Sequence, residues 1–183
     1  MPEFHKLMLF AGAGIGAFAL LLLIISVATP AWLDDGQGST IGLFRKCVSA
    51  NLPNATNLGN GCHNENRVTQ GGLSVFGLLL LVFSIFATIA AAFTGNTLLL
   101  LISLGLMYFS SMFVMSAYAT WGAYSRDFDS YSFPYGTATA TQHTSMGYSY
   151  NLCVAAHFFL WTALTCVAFG VGNYLGAERN SSG

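Results

Sequence analysis

Residues 73–118 read LSVFGLLLLVFSIFATIAAAFTGNTLLLLISLGLMYFSSMFVMSAY, and this stretch decides the fold. It consists of two apolar runs, 73–93 and 97–118, separated only by Thr94-Gly95-Asn96. A helix that crosses a bilayer needs about 20 apolar residues at a rise of about 1.5 Å per residue, and each run has that length. The stretch therefore predicts two membrane-spanning helices joined in a tight antiparallel hairpin.

Two further runs of the same kind lie at 7–28 and 151–175, and none of the four contains Asp, Glu, Lys or Arg. Of all 183 residues, 54% are hydrophobic and only 7% are charged, whereas soluble domains carry roughly a quarter charged residues. This composition excludes an ordinary soluble domain and a disordered chain. A net charge of −1 excludes nucleic-acid binding through phosphate contacts. The sequence predicts a membrane protein, mainly α, with one domain over residues 1–183 and a bundle of four transmembrane helices.

Small residues mark one face of the first run, at Gly12 and Gly16, and one face of the fourth, at Gly172 and Gly176. Such faces let helices approach closely, and we expect them to pack within the chain, with dimerisation as the alternative. The first run also exceeds the apolar region of about 7–15 residues in a signal peptide. We therefore expect it to be retained rather than cleaved after Ala28.

The two long polar connections, 29–72 and 119–150, lie on the same side of the membrane, because an even number of spans places both termini with the short turn. Basic residues are more numerous in these loops, so the positive-inside rule alone would put them in the cytosol. Two features favour the opposite side: Cys47 and Cys62 suit an oxidising compartment, and Asn54-Ala55-Thr56 is a glycosylation sequon. We expect a multi-pass plasma-membrane protein with extracellular loops, a glycan on Asn54 and cytoplasmic termini.

The first loop contains turn and strand signals close to its cysteines. Residues 34–38 (Asp-Asp-Gly-Gln-Gly) supply turn chemistry, and Gly42-Leu43-Phe44 places apolar residues just before Cys47. This pattern suggests a strand pinned by a Cys47–Cys62 disulfide, which in the chain-entropy model contributes about 3 kcal/mol. Free thiols and a zinc site with His63 are alternatives, but the other histidines are too scattered to complete a tetrahedral site. We expect a small extracellular β-sheet on top of the bundle.

Six residues that follow the first span stand out together: Trp32, Gly42, Leu43, Phe44, Cys47 and Cys62. This set resembles the signature of the claudin superfamily, which includes the claudins, peripheral myelin protein, the epithelial membrane proteins and stargazin-like channel subunits. The four spans, the loop lengths and the chain length fit the same resemblance. Gly147-Tyr148-Ser149-Tyr150, at the start of the fourth span, resembles the epithelial membrane protein and stargazin-like branches.

The chain also departs from this family pattern. Phe44 stands in place of the usual Trp, which keeps an apolar anchor but removes an indole donor. The segment 32–42 looks shorter than in barrier-forming claudins, where it contacts neighbouring molecules, and the interval between the two cysteines is longer than usual. Residues 180–183 (Asn-Ser-Ser-Gly) lack the terminal apolar residue that a PDZ groove needs. We therefore expect no PDZ scaffold at the C-terminus.

The second loop is rich in aromatic residues. Some of them can form an interfacial belt or extend the third helix, but rigid aromatics beside Ser and Gly also resemble a recognition surface. The residues with a possible role in partner contact are Trp121, Tyr124, Phe128, Tyr131, Phe133 and Tyr135.

Few chemically active groups lie inside the spans. We expect His157 to be neutral and hydrogen-bonded to a neighbouring helix; a proton relay is the alternative, but no span offers an acidic partner. Cys153 and Cys166 are expected to be buried thiols. The chain has no nucleophile elbow, phosphate-cradling glycine loop or metal-binding pair. We therefore predict no enzyme activity, no cofactor and no metal.

The resemblance implies two functions. The first is cell–cell adhesion or a paracellular barrier at cell junctions, through contacts in cis and in trans with itself or related tetraspan proteins; near-balanced loop charges would make such a barrier weakly charge-selective. The alternative is an auxiliary subunit, similar to stargazin, beside an ion channel or receptor. In both cases the lipid bilayer is a partner and nucleic acid is not.

Overall fold

A computed structural model describes residues 4–34, 36, 38–48, 61–64, 67–126, 131–135, 138–142 and 145–181. Two residues with a predicted role, Asn54 with its sequon and Phe128 in the second loop, lie outside the described residues.

The described part of the chain contains four long helices, all of which have the length and hydropathy of membrane-spanning segments. The predicted four-helix bundle is therefore confirmed. At about 1.5 Å per residue, even α1, with 25 residues, exceeds the hydrocarbon thickness of a bilayer, which is about 30 Å. The helices are α1 (Phe4–Ala28), α2 (Val68–Thr94), α3 (Thr97–Arg126) and α4 (Tyr148–Ser181).

Only Gly95 and Asn96 separate α2 from α3, and each has a local reason for its position. Gly95 adopts a left-handed conformation with φ of 64°, and its N–H donates to the carbonyl of Ala91 at 2.9 Å. The Asn96 side chain then accepts from the N–H groups of Leu98 and Leu99 at 2.9 and 3.3 Å. A glycine C-cap followed directly by an asparagine N-cap produces the tight turn that the sequence predicted.

The helices form a four-sided bundle in which α1 packs most extensively on α4, and α2 on α3. Gly12 permits the close approach of α1 and α4, since an added Cβ there would lie 2.6 Å from the Val167 side chain. Gly16 faces Ile85, Met107 and Ala163 of the other three helices, where an added Cβ would be in ordinary contact at 3.4–3.8 Å. The expected packing within the chain is therefore confirmed for these two glycines, and it is tightest at Gly12. Gly172 and Gly176 differ, because an added Cβ on either would meet nothing within 4 Å.

A five-stranded antiparallel sheet covers one end of the bundle, in the order β4-β3-β2-β1-β7. Four of its strands come from the chain between α1 and α2, which confirms the small sheet expected from the first loop. Its fifth strand comes from the second loop and pairs with β1, which the sequence did not predict. The strands are β1 (Leu33–Asp34), β2 (Thr40–Ile41), β3 (Arg45–Val48), β4 (Gly61–Asn64) and β7 (Ser145–Met146).

Cys47 in β3 and Cys62 in β4 lie opposite each other in the strand register and form a disulfide, with 4.0 Å between their Cα atoms. The predicted pairing is confirmed. A separate two-stranded hairpin, β5 (Tyr131–Tyr135) and β6 (Ala138–Gln142), forms from the second loop.

The second loop is shorter than the predicted range 119–150. Helix α3 continues to Arg126 and α4 begins at Tyr148, so both helices extend beyond the apolar runs 97–118 and 151–175 that predicted the spans. Apolar composition marks only the part of a helix that suits lipid, whereas backbone hydrogen bonding and packing continue the helix beyond it. Trp121 and Tyr124 therefore belong to α3 and not to a loop.

We call the end of the bundle that carries the sheet the loop side. The opposite end, the terminal side, contains the start of α1, the turn between α2 and α3, and the end of α4. There the Tyr174 hydroxyl donates to the carbonyl of Gly95 at 2.5 Å, and its ring packs edge-on against His5.

Candidate functional site

The residue set that begins with Trp32 and the motif Gly147-Tyr148-Ser149-Tyr150 meet at the loop side, around the Trp32 side chain. This side chain is fully buried, and its indole N–H donates to the carbonyl of Ser26 in the last turn of α1 at 2.9 Å. Its ring packs edge-on against Trp121 of α3, with 5.2 Å between centroids, and against Tyr150 of α4 at 6.0 Å. Trp32 thereby joins three helices to the first strand of the sheet.

The backbone beside Trp32 pairs with the start of α4. The N–H of Gly147 donates to the carbonyl of Trp32, and that of Ser149 donates to the carbonyl of Ala31, both at 3.0 Å. The hydroxyl of Ser26 donates to the carbonyl of Ser149 at 2.7 Å. We refer to Ser26, Trp32, Trp121, Gly147 and Ser149 as the Trp32 junction.

Glycine is required at 147 by space and not by a positive φ. A Cβ at this position would collide with the carbonyl oxygen and carbonyl carbon of Ala31. The close approach of the two backbones, which permits their hydrogen bonds, therefore depends on the absence of a side chain.

The Gly-Leu-Phe segment attaches the first loop to the bundle. Leu43 is buried, and its carbonyl accepts from the N–H of Arg67, the residue before α2, at 3.2 Å. A Cβ on Gly42 would lie 2.5 Å from the Cα of Pro30, so this glycine permits contact with the chain just after α1. The Phe44 ring lies over Gly71 of α2 and remains 41% exposed. An apolar contact at Phe44, as expected from its position, is therefore present.

Arg67, the residue before α2, contacts Tyr124 near the end of α3. The guanidinium carbon lies 4.5 Å from the centroid of the Tyr124 ring, which is cation–π geometry. Tyr124, one of the six aromatic residues with a possible role in partner contact, is half-buried in this arrangement.

The other aromatics of that group are placed differently. Trp121 is fully buried in the Trp32 junction, so it is not available to a partner, and the expectation is corrected for this residue. Its helix extends far enough to bring it beneath the sheet, where Trp32 covers it. Tyr131, Phe133 and Tyr135 occupy alternate positions of β5 and pair with Gln142, Ala140 and Ala138 of β6.

A polar cluster between α3 and α4 involves His157, which is 9% exposed. Its Nε2 accepts from the indole N–H of Trp161 at 2.9 Å and lies 3.1 Å from the Ser111 hydroxyl. Because an indole N–H can only donate, Nε2 acts as the acceptor, and in the neutral ring the proton is then on Nδ1, which lies 3.1 Å from the Tyr118 hydroxyl oxygen. The expected hydrogen bonding of a neutral His157 to a neighbouring helix is confirmed.

Sequence reasoning identified Trp32 and the motif Gly147-Tyr148-Ser149-Tyr150, but it gave Ser26 no role and did not predict that these residues meet. Ser26 and Ser149 supply hydrogen bonds that link α1 to α4. The signal that could have identified Ser26 is a serine near the end of an otherwise apolar span, because a buried hydroxyl needs a hydrogen-bond partner. The contact between Arg67 and Tyr124 had no local signal, since the two residues are adjacent only in the folded chain.

The loop side thus presents a disulfide-bonded sheet and a separate hairpin on a helical base. Within the described ranges, no group of three or more His, Cys, Asp or Glu residues is arranged to hold a metal ion. Comparison of the chain with models of known protein families finds none that matches, and comparison with curated proteins finds no match either.

Proposed function

We propose that this chain is a claudin-like protein of the plasma membrane that mediates cell–cell adhesion or a paracellular barrier through its two loops. The observation that carries the proposal is the construction of the loop side. One sheet combines strands from both loops, and the buried Trp32 junction fixes it to α1, α3 and α4. A protein that resists separation of two cells needs its contact surface held rigidly on a membrane anchor.

The proposed orientation places the loops outside the cell and both termini in the cytoplasm. The Cys47–Cys62 disulfide supports this orientation, because stable disulfides form in the secretory pathway and not in the cytosol. The sequon at Asn54 supports the same side, since glycans are added in that compartment.

The charges of the loops support a barrier of weak charge selectivity. A selective pore needs a surplus of one sign, and the loops carry four basic residues against five acidic ones, a difference of one. The basic residues are Arg45, Lys46, Arg67 and Arg126, and the acidic residues are Asp34, Asp35, Glu65, Asp127 and Asp129.

The larger sheet supplies the rigidly held part of the proposed contact surface, and the hairpin β5–β6 is the part proposed to select the partner. Among the residues that the structure describes, the hairpin pairs with no strand of the larger sheet, and a two-stranded hairpin alone is only marginally stable in water. Contact with another molecule would therefore stabilise it. Large aromatic residues in alternation with small ones are the composition typical of contact surfaces.

The proposal is tested by expression in an epithelial layer that lacks claudins. We expect increased transepithelial resistance and intramembrane strands at cell contacts. The triple variant Tyr131→Ser, Phe133→Ser and Tyr135→Ser should reach the cell surface but lose the added resistance. The control variant Ser132→Ala and Thr139→Ala, at hairpin positions outside this aromatic set, should retain the resistance. Unchanged resistance with the unsubstituted chain present at the surface would exclude a barrier function.

A second candidate is an auxiliary subunit of an ion channel or receptor. It is favoured by the short connection between β1 and β2, which is only the five residues 35–39, because so short a segment offers little reach toward an opposite cell. Affinity purification in mild detergent distinguishes the candidates. A channel or receptor in stoichiometric amount supports the auxiliary role, and self-association alone contradicts it.

A further inference from the structure

A groove of about 270 Å³ opens on the loop side between the end of α1 and residues 43–45. Its walls include the apolar residues Val27, Ala28, Pro30 and Phe44. Arg45 is the charged residue among the described residues that line it. We call it the Arg45 groove. Its described lining includes no residue of the hairpin β5–β6 or of the Trp32 junction.

The position of the groove along α1 determines what can reach it. The apolar run of α1 ends at Ala28 and is followed by Thr29 and Pro30. In a chain inserted through its four apolar helices, this point is the boundary between hydrocarbon and head groups. The partial exposure of Phe44 in the groove wall agrees with this depth, because apolar side chains such as Phe can enter the boundary between head groups and acyl chains.

Arg45 gives the groove its charge. The side chain is exposed, and it forms no ion pair with any residue that the structure describes. Its cross-strand neighbour in β4 is the uncharged Asn64, and none of the described residues that line the groove is Asp or Glu. A guanidinium above apolar walls complements a ligand with an anionic head and an apolar body. The planar guanidinium of Arg also matches the geometry of a phosphate better than the ammonium group of Lys does.

We propose that the Arg45 groove binds a glycerophospholipid of the leaflet on the loop side, with the phosphodiester on Arg45 and the glycerol end of the acyl chains against Val27, Pro30 and Phe44. The inference rests on the membrane insertion in the proposed function, but not on adhesion. Its ligand is a membrane component that surrounds the chain at high concentration. An occupied groove would couple the end of α1 to β3 through the lipid.

Native mass spectrometry of the full chain in neutral detergent tests the proposal. The probe is dioleoyl phosphatidylglycerol, and dioleoyl glycerol, which has the same chains without the phosphate, is the comparison. We expect retention of phosphatidylglycerol and not of the diacylglycerol. Inorganic phosphate at millimolar concentration should not displace the lipid, because the apolar contacts belong to the lipid alone; displacement would indicate a site for free phosphate and overturn the proposal.

Three variants distinguish specific binding of phosphatidylglycerol in the groove from a general attraction of the anionic lipid to positive charge. Arg45→Gln should weaken phosphatidylglycerol binding about tenfold, the value for loss of one charge-assisted contact. Ala28→Trp, which fills the groove without a change of charge, should also weaken it. Lys46→Gln removes the same charge one residue away, outside the groove, and should bind as the unsubstituted chain does. Equal losses in Arg45→Gln and Lys46→Gln, or equal retention of the two lipids, would overturn the proposal.

The outcome is independent of the barrier measurement. Loss of lipid binding in Arg45→Gln together with an intact barrier would leave both proposals standing. An unsubstituted chain that forms a barrier but retains no phosphatidylglycerol would refute the groove alone, and one that binds the lipid but forms no barrier would refute adhesion alone.

Discussion

Replacement of Gly147 by Ala tests the Trp32 junction most directly, because it adds a single methyl group where the residue before α4 lies against Ala31, three residues after the end of α1. The new Cβ would collide with the carbonyl of Ala31. The backbones must then move apart, which lengthens two hydrogen bonds of 3.0 Å, from Gly147 to Trp32 and from Ser149 to Ala31. No other property of the sequence changes, so the effect measures the value of this contact.

The expected cost follows from these contacts. Overpacking of a close contact costs about 1–3 kcal/mol, and each weakened hydrogen bond costs about 0.5–1.5 kcal/mol. Together they predict a loss of about 3 kcal/mol, since relaxation relieves part of the collision. Total stabilities are about 5–15 kcal/mol, so this is a large fraction. For a chain of this size it corresponds to a fall of about 6–12 °C in Tm.

Thermal unfolding of the purified chain in detergent measures this fall, and surface labelling of intact cells reports its effect on delivery. Gly172→Ala is the matched control. It is the same substitution in α4, at a glycine where an added Cβ meets nothing within 4 Å, and it should be neutral or gain about 0.5–1 kcal/mol of helix stability. Equal Tm values for the Gly147→Ala chain and the unsubstituted chain would refute the reasoning.

Three further predictions concern the Cys47–Cys62 disulfide, the hydrogen bonds of His157 and the sequon at Asn54. Cys47→Ser should lower stability by about 3 kcal/mol and expose the Cys62 thiol to alkylation; normal surface delivery of this variant would contradict the role of the disulfide. His157→Leu should cost about 1–3 kcal/mol in unfolding experiments, because it leaves the Trp161 N–H without its acceptor. His157→Gln keeps an acceptor and should cost less, and equal losses in both variants would argue against this account. Asn54→Gln should increase gel mobility by the loss of a glycan, whereas an unchanged band would contradict glycosylation and the proposed orientation.

Much of the fold could be predicted because apolar length is a local property. The four runs without Asp, Glu, Lys or Arg identify the helices, and Gly95 with Asn96 identifies the tight turn. The pairing of Cys47 with Cys62 could also be predicted, since both residues lie in one loop and the turn and strand signals lie between the first span and Cys47. In these cases the residues that decide the structure are close to one another in sequence.

The remainder depends on contacts between distant segments. The strand Ser145–Met146 has two residues and no strand signal, and it exists because Gly147 brings it beside β1. The burial of Trp121 follows in the same way from the length of α3 and the position of Trp32 above it. An aromatic residue in a polar stretch looks exposed in the sequence, and only the folded chain reveals what covers it.

The Trp32 junction and the hairpin β5–β6 are under different physical constraints, and this difference bears on how partners are chosen. Residues of the junction are fixed by burial, by hydrogen bonds and by the lack of space beside Gly147, so substitutions there lower stability whatever the partner is. Within the described residues, strands β5 and β6 pair only with each other. Substitutions in the hairpin can therefore alter recognition at little cost to the bundle. If the proposed contact role is correct, partner choice should be transferable by exchange of residues 131–142 while the junction stays unchanged.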